Sequence, residues 1–114
     1  MKVRTLKRSW QFRTCYSRGR KVVCDYAVVF YHETTGEGLQ FGVVASKRVG
    51  NAVKRNRAKR LLREAARGVA GELNDPNLWV VLVARSTITT HSSREVHGDI
   101  KRALTSAGLL TRGT

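Results

Sequence analysis

Asn51-Ala52-Val53-Lys54-Arg55-Asn56-Arg57-Ala58-Lys59-Arg60-Leu61-Leu62-Arg63-Glu64-Ala65-Ala66-Arg67-Gly68-Val69-Ala70 is the stretch on which the fold turns. Asn51 is a strong helix N-cap, because its side-chain oxygen can accept one of the unpaired N–H groups of the first turn. With Val53 set at zero and an advance of 100° per residue, Ala58, Leu61, Leu62, Ala65 and Val69 fall between about 80° and 180°. Asn56, Arg60, Arg63 and Arg67 fall between about 280° and 340° on the same wheel. The helix therefore has one face for a core and an opposite face of cations, with Arg57 and Lys59 beside the stripe.

Working outward, Ser46–Gly50 is a short loop and Leu39–Ala45 a strand. The β-branched and aromatic run Val22–Tyr31 reads as an earlier strand, and the turn residues Thr34–Gly38 join the two as an antiparallel hairpin. Val22, Cys24, Tyr26, Val28 and Phe30 would share one side of that strand; Val23, Asp25, Ala27, Val29 and Tyr31 would share the other. Upstream, Ser9 can cap a helix over Trp10–Arg18 that Gly19 ends, with Phe12 and Tyr16 on one face. Residues 1–8 read as a mobile basic arm. Downstream, Glu72–Asn77 with Pro76 is a turn, and the unbroken apolar run Leu78–Ala84 is a strand buried on both faces. Ser92 or Ser93 can start a last helix to about Ala107, ended by Gly108. Helix, two or three strands, helix, strand, helix makes a single α+β domain over residues 1–114, with helices packed on a sheet.

The charge is uneven. Residues 1–67 hold 17 Lys and Arg against 4 Asp and Glu, a balance of +13 out of +14 for the chain. Such a field attracts a polyanion. Nucleic acid comes first; an anionic membrane surface would also require a free apolar face. Lys54, Arg55 and Arg57 crowd the positive end of the helix dipole, with Lys47 and Arg48 just before it. A bound phosphate would relieve that crowding, since the helix start points backbone N–H groups outward. Arginine forks suit phosphate oxygens, and Asn56 can meet a base edge or a 2′-hydroxyl. By themselves these features fit RNA or DNA; a solvated basic face is the bland alternative.

Cys15 and Cys24 match neither a zinc spacing nor a disulfide framework and read as two free thiols. No apolar run is long enough to span a bilayer, and the basic N-terminus has no apolar segment after it, so the expected location is cytoplasmic. His91, Glu95, His97 and Asp99 invite a protein-catalysed nuclease, because a His–carboxylate pair can do acid–base work. They lie at the start of the last helix in the nearly neutral third of the chain, where capping explains them. A ribosomal or RNA-chaperone protein would share the charge.

The run Phe41–Ala65, with Arg55-Asn56-Arg57 at its centre, resembles the signature segment of the bacterial ribonuclease P protein component. Leu6-Lys7, Phe12, Tyr16, Gly19 and Val81–Arg85 fit the same family, so the resemblance runs from about Leu6 to Leu110. It implies an αβββαβα sandwich of ribosomal-protein type, with a small mixed sheet and a left-handed βαβ crossover, which chain-handedness rules alone would draw right-handed. It also implies the protein subunit of a ribonucleoprotein endonuclease that removes the 5′ leader from precursor tRNA. In that family the active site and the catalytic Mg2+ belong mainly to the RNA subunit, so no catalytic or metal-ligating residue is expected in this chain and no small-molecule substrate. The resemblance places the RNA-subunit surface at Asn51, Arg55, Asn56, Arg57, Lys59, Arg60 and Arg63; the helical wheel adds Lys54 and Arg67. It places leader contacts at Phe12, Tyr16 and Phe30, with Lys47, Arg48 and Arg85 as the cations. Tyr26 shares the strand face of Phe30, and either could line such a cleft. Asp25 stands where many relatives carry a basic residue.

Overall fold

The computed structural model describes residues 4–110. The elements are β1 (Arg4–Thr5), α1 (Ser9–Arg18), β2 (Arg20–Val23), β3 (Ala27–Glu33), β4 (Gln40–Val44), α2 (Ala52–Ala70), β5 (Leu78–Ala84) and α3 (Ser93–Ser106), with 3-10 turns at Lys47–Val49 and Ser86–Thr90. One mixed sheet runs in the order β1-β4-β5-β3-β2. The α+β order αβββαβα holds, with the two-residue β1 added in front.

β5 occupies the centre because both of its faces are apolar. Leu78, Val80, Leu82 and Ala84 join the core under α2 and α3, while Trp79, Val81 and Val83 pack with α1 on the other side. α2 buries Ala58, Leu61, Leu62, Ala65 and Val69, as its periodicity requires, together with Ala66 and Ala70. Each of the two leucines contributes roughly 1.5–3 kcal/mol by leaving water. Asn51 Oδ1 accepts the Lys54 N–H at 3.0 Å and starts the helix. At α3 the Ser92 hydroxyl accepts from the Glu95 N–H, and the Glu95 carboxylate accepts from the Ser92 N–H, both within 3.2 Å.

Four local expectations change. Val22–Tyr31 is not one strand but the hairpin β2–β3, broken at Cys24–Tyr26. The cause lies far away in sequence: the Asp99 carboxylate on α3 accepts the N–H groups of Asp25 at 3.1 Å and Tyr26 at 2.8 Å. The turn also resets the strand faces. Val22 now pairs with Val29, so it shares the side of Ala27, Val29 and Tyr31 rather than that of Phe30. Second, β3 and β4 are not a hairpin. β5 lies between them, antiparallel to β3 and parallel to β4, because the most apolar strand gains most at the centre.

Third, residues 4–8 are not a separate arm. Arg4 and Thr5 pair with Gln40 and Phe41, and Leu6 is buried under α1; the rest of the expected arm, residues 1–3, lies outside the described residues. Fourth, α1 starts one residue early. Its first turn is closed by Gln11, whose Oε1 accepts from the N–H groups of Lys7 and Arg8, rather than by Ser9.

Candidate nucleic-acid interface

The exposed side of α2 carries Asn56, Arg60, Arg63 and Arg67, with Lys54 at its start. Lys59 and Arg55 are half-buried along the margins. Among the described residues the ion pairs are His91–Glu95, Lys101–Glu72 and Arg102–Asp99, so none of the nine cations between Ser46 and Arg67 has an acidic partner. Arg57 differs from the others. Its Nε donates to the Thr89 carbonyl at 3.4 Å and its Nη2 to the His91 carbonyl at 3.2 Å. It ties α2 to the Ser86–Thr90 turn, a role the helical wheel did not reveal. Asn51 is exposed, but its Oδ1 is occupied by the cap.

The second surface lies on the other face of the sheet. Strand register puts Val23, Val28, Val83 and Val44 in one row across β2, β3, β5 and β4. The next two rows, Phe30–Val81–Gly42 and His32–Trp79–Gln40, lie beneath α1. A helix about 10 Å wide covers about two rows of same-face residues, which repeat every ~6.6 Å, and leaves the third open. Val23 is 58% exposed, and Val28, Val44 and Val83 are half-buried. The wall of this groove is aromatic. Tyr16 meets Phe30 edge-on at 4.8 Å between ring centroids, and Phe12 packs over Gly42.

Phe30, not Tyr26, therefore stands with Phe12 and Tyr16. Tyr26 sits in the β2–β3 turn and stacks on His91 at 3.9 Å. Lys47 and Arg48 lie exposed just past the end of β4, and Arg85 just past the end of β5. The Arg85 Nη1 donates to the Cys24 carbonyl at 2.8 Å while the side chain stays exposed. The valine row was missed in the sequence. The unbroken apolar run Leu78–Ala84 said only that β5 is buried on both faces, and which part a short helix leaves open is a matter of packing.

His91, Glu95, His97 and Asp99 do not gather at one place: His91 and Glu95 pair with each other, while Asp99 and His97 are engaged elsewhere. His91 Nδ1 meets Glu95 at 3.1 Å. The Ser92 N–H and hydroxyl, together with His91, hold the Glu95 carboxyl below the usual range. Asp99 is spent on the β2–β3 turn, and His97 packs against Gly68. Among the described residues no three His, Cys, Asp or Glu side chains come together. Cys15 and Cys24 are free, and burial pushes their thiols up to about 11 and about 12. No helix among the described residues is long and apolar enough to cross a membrane.

The chain is similar to known proteins in sequence and in fold. A family model described as Ribonuclease P matches residues 1–108. The ribonuclease P protein component of Fusobacterium nucleatum is 35% identical over 100 residues, covering 88% of this chain and 89% of the relative. That of Shouchella clausii is 32% identical over 110 residues, covering 96% and 89%. In three dimensions the Staphylococcus aureus RNase P protein is similar with a TM-score of 0.82 at 22% identity, covering 96% of this chain and 100% of that one. The Thermotoga maritima RNase P protein is similar with a TM-score of 0.77 at 21% identity, covering 90% and 96%. A basic helix and a groove set on this fold thus have a family to belong to: the chain is a member of the bacterial ribonuclease P protein component family, the RNA-binding accessory subunit of the endoribonuclease that matures tRNA 5′ ends.

Proposed function

We propose that this chain works with its two surfaces at once: the exposed side of α2 docks on the ribonuclease P RNA, and the groove beside α1 holds the 5′ leader of precursor tRNA. The observation that carries this reading is the position of Lys47–Val49. That turn leaves β4 at the open end of the groove and enters the start of α2, so Lys47 and Arg48 stand where the two surfaces meet. A phosphate chain leaving the groove there passes directly to a field of cations with no acidic partners.

The docking residues on this reading are Asn51, Lys54, Arg55, Asn56, Lys59, Arg60, Arg63 and Arg67, with Arg57 holding the helix in place. The leader residues are Phe12, Tyr16 and Phe30, with Lys47, Arg48 and Arg85. Stacking on aromatic faces and a cationic track hold single strands with little demand on sequence, which suits many different leaders. The chain's contribution to the cut is positioning and neutralisation of phosphate. The Mg2+ that the holoenzyme needs is bound mainly by the RNA, and the setting is the cytoplasm.

Reconstitution tests this. Protein alone in Mg2+ should leave precursor tRNA intact, and addition of a bacterial ribonuclease P RNA should give site-specific 5′ processing at low Mg2+. Robust cleavage by the RNA-free protein, lost in His97→Ala, would overturn the reading. So would failure with the RNA subunit combined with tight binding to ribosomal RNA.

A further inference from the structure

The far side of α1, away from the leader groove, is also built from aromatics and cations. Trp10 is 51% exposed there, an unusual position for so large a side chain. Its ring meets Trp79 edge-on at 5.5 Å, and His32 lies 6.1 Å from Trp79 on the neighbouring strand. Trp79 is 5% exposed, and its indole N–H has no acceptor. Beside them opens a cavity of about 460 Å³ lined by Arg4, Thr5, Lys7, Arg8, Gln11, Glu37 and Gln40.

The two glutamines are at least nine-tenths buried and only half used. Gln11 Oε1 accepts from Lys7 and Arg8, and Gln40 Nε2 donates to the Glu37 carbonyl. Among the described residues this leaves one amide donor and one amide acceptor in the cavity lining, against three cations and a single carboxylate.

We propose that this ledge is a second binding site for single-stranded RNA, in which one base stacks on Trp10, its edge meets Gln11 and Gln40, and the adjoining phosphate sits among Arg4, Lys7 and Arg8. RNA is favoured over a protein partner by the chemistry. A lone exposed ring beside cations and paired amide groups suits a base with its phosphate, whereas a protein partner would require a contiguous apolar patch. α1 separates the ledge from the leader groove, so the two sites hold different stretches of strand.

The test uses the full-length chain without the RNA subunit, so its outcome is independent of holoenzyme docking. The background is Phe12→Ala with Tyr16→Ala, which disables the leader groove. The probe is a hexamer of single-stranded RNA carrying 5-iodouracil. Photocrosslinking to the peptide containing Trp10 is expected, with affinity at least about fivefold lower in Trp10→Ala but retained in Trp10→Phe. Equal affinity of the Ala and Phe variants, or crosslinks that never reach Trp10, would overturn the proposal. Binding abolished by the Phe12 and Tyr16 substitutions alone would also overturn it while leaving the leader groove intact as a reading.

Discussion

Phe12 packs so closely over Gly42 that a Cβ built at position 42 would stand 2.5 Å from the ring Cε1. No ordinary contact is that short, so the glycine makes room for the ring that forms the groove wall. Gly42→Ala should therefore push Phe12 off its seat and weaken leader-bearing substrate while sparing mature tRNA. Phe12→Ala should do the same, with a loss on the order of 1–3 kcal/mol if a base stacks there. Equilibrium binding of the reconstituted holoenzyme to precursor and mature tRNA checks both; equal losses for the two RNAs would mean that Phe12 only supports the fold.

Arg57 and Arg60 are neighbours on α2 with different work. Arg60 is exposed with no acidic partner among the described residues, so Arg60→Ala should weaken RNA-subunit binding and reduce the slope of log K against log salt by about one. Arg57 holds two carbonyls of the segment 89–91. Arg57→Ala should cost roughly 1.5–3 kcal/mol of folding stability, because hydrogen bonds from a charged donor are lost. Salt-dependent binding and urea unfolding, run on both variants, separate the two roles.

Asp99 should be among the costliest residues to replace outside the apolar core. It is 3% exposed and receives the N–H groups of Asp25 and Tyr26. Asp99→Ala would leave both donors without an acceptor and destabilise the fold by on the order of 3 kcal/mol. Asp99→Asn keeps an oxygen for one of them and should lose less. Urea midpoints for the two variants give the comparison, and equal, small losses would show that the turn forms without the carboxylate.

The same residue shows where the sequence could and could not be read. α2, β5 and α3 announced themselves through local signals: an Asn or Ser cap, a 3.6-residue period, an unbroken apolar run. Those signals act within one element, and the structure keeps their limits to within a residue or so. The break at Cys24–Tyr26 has no local signal, because its cause sits more than seventy residues away. The placement of β5 between β3 and β4 is likewise a competition among strands for the centre of a sheet. In the candidate interface, the cation stripe was legible from periodicity; spacing showed only that Phe12 and Tyr16 share a helix face, and their place at a leader cleft came from the family resemblance. The valine floor and the tie from Arg57 to the Thr89 and His91 carbonyls depend on which elements become neighbours, and no stretch of sequence carries that.

Crowded cations at the start of α2 predict a folded state that anions strengthen. Lys47, Arg48 and Lys54 are exposed around the end of the helix where unpaired N–H groups and the dipole already make the potential positive. Asn51 satisfies only one of those N–H groups, that of Lys54. Sulfate can fill the place of an RNA phosphate, and it binds the folded chain rather than the unfolded one because only folding gathers these groups. Linkage then gives about 1.4 kcal/mol at ten times the dissociation constant. The melting temperature should rise with sulfate well beyond its rise in chloride of equal ionic strength. Screening alone would make the two salts equal, whereas a site makes them differ. Lys47→Ala with Arg48→Ala should remove most of the difference, and a sulfate effect unchanged in that variant would place the stabilising anion elsewhere on the basic surface.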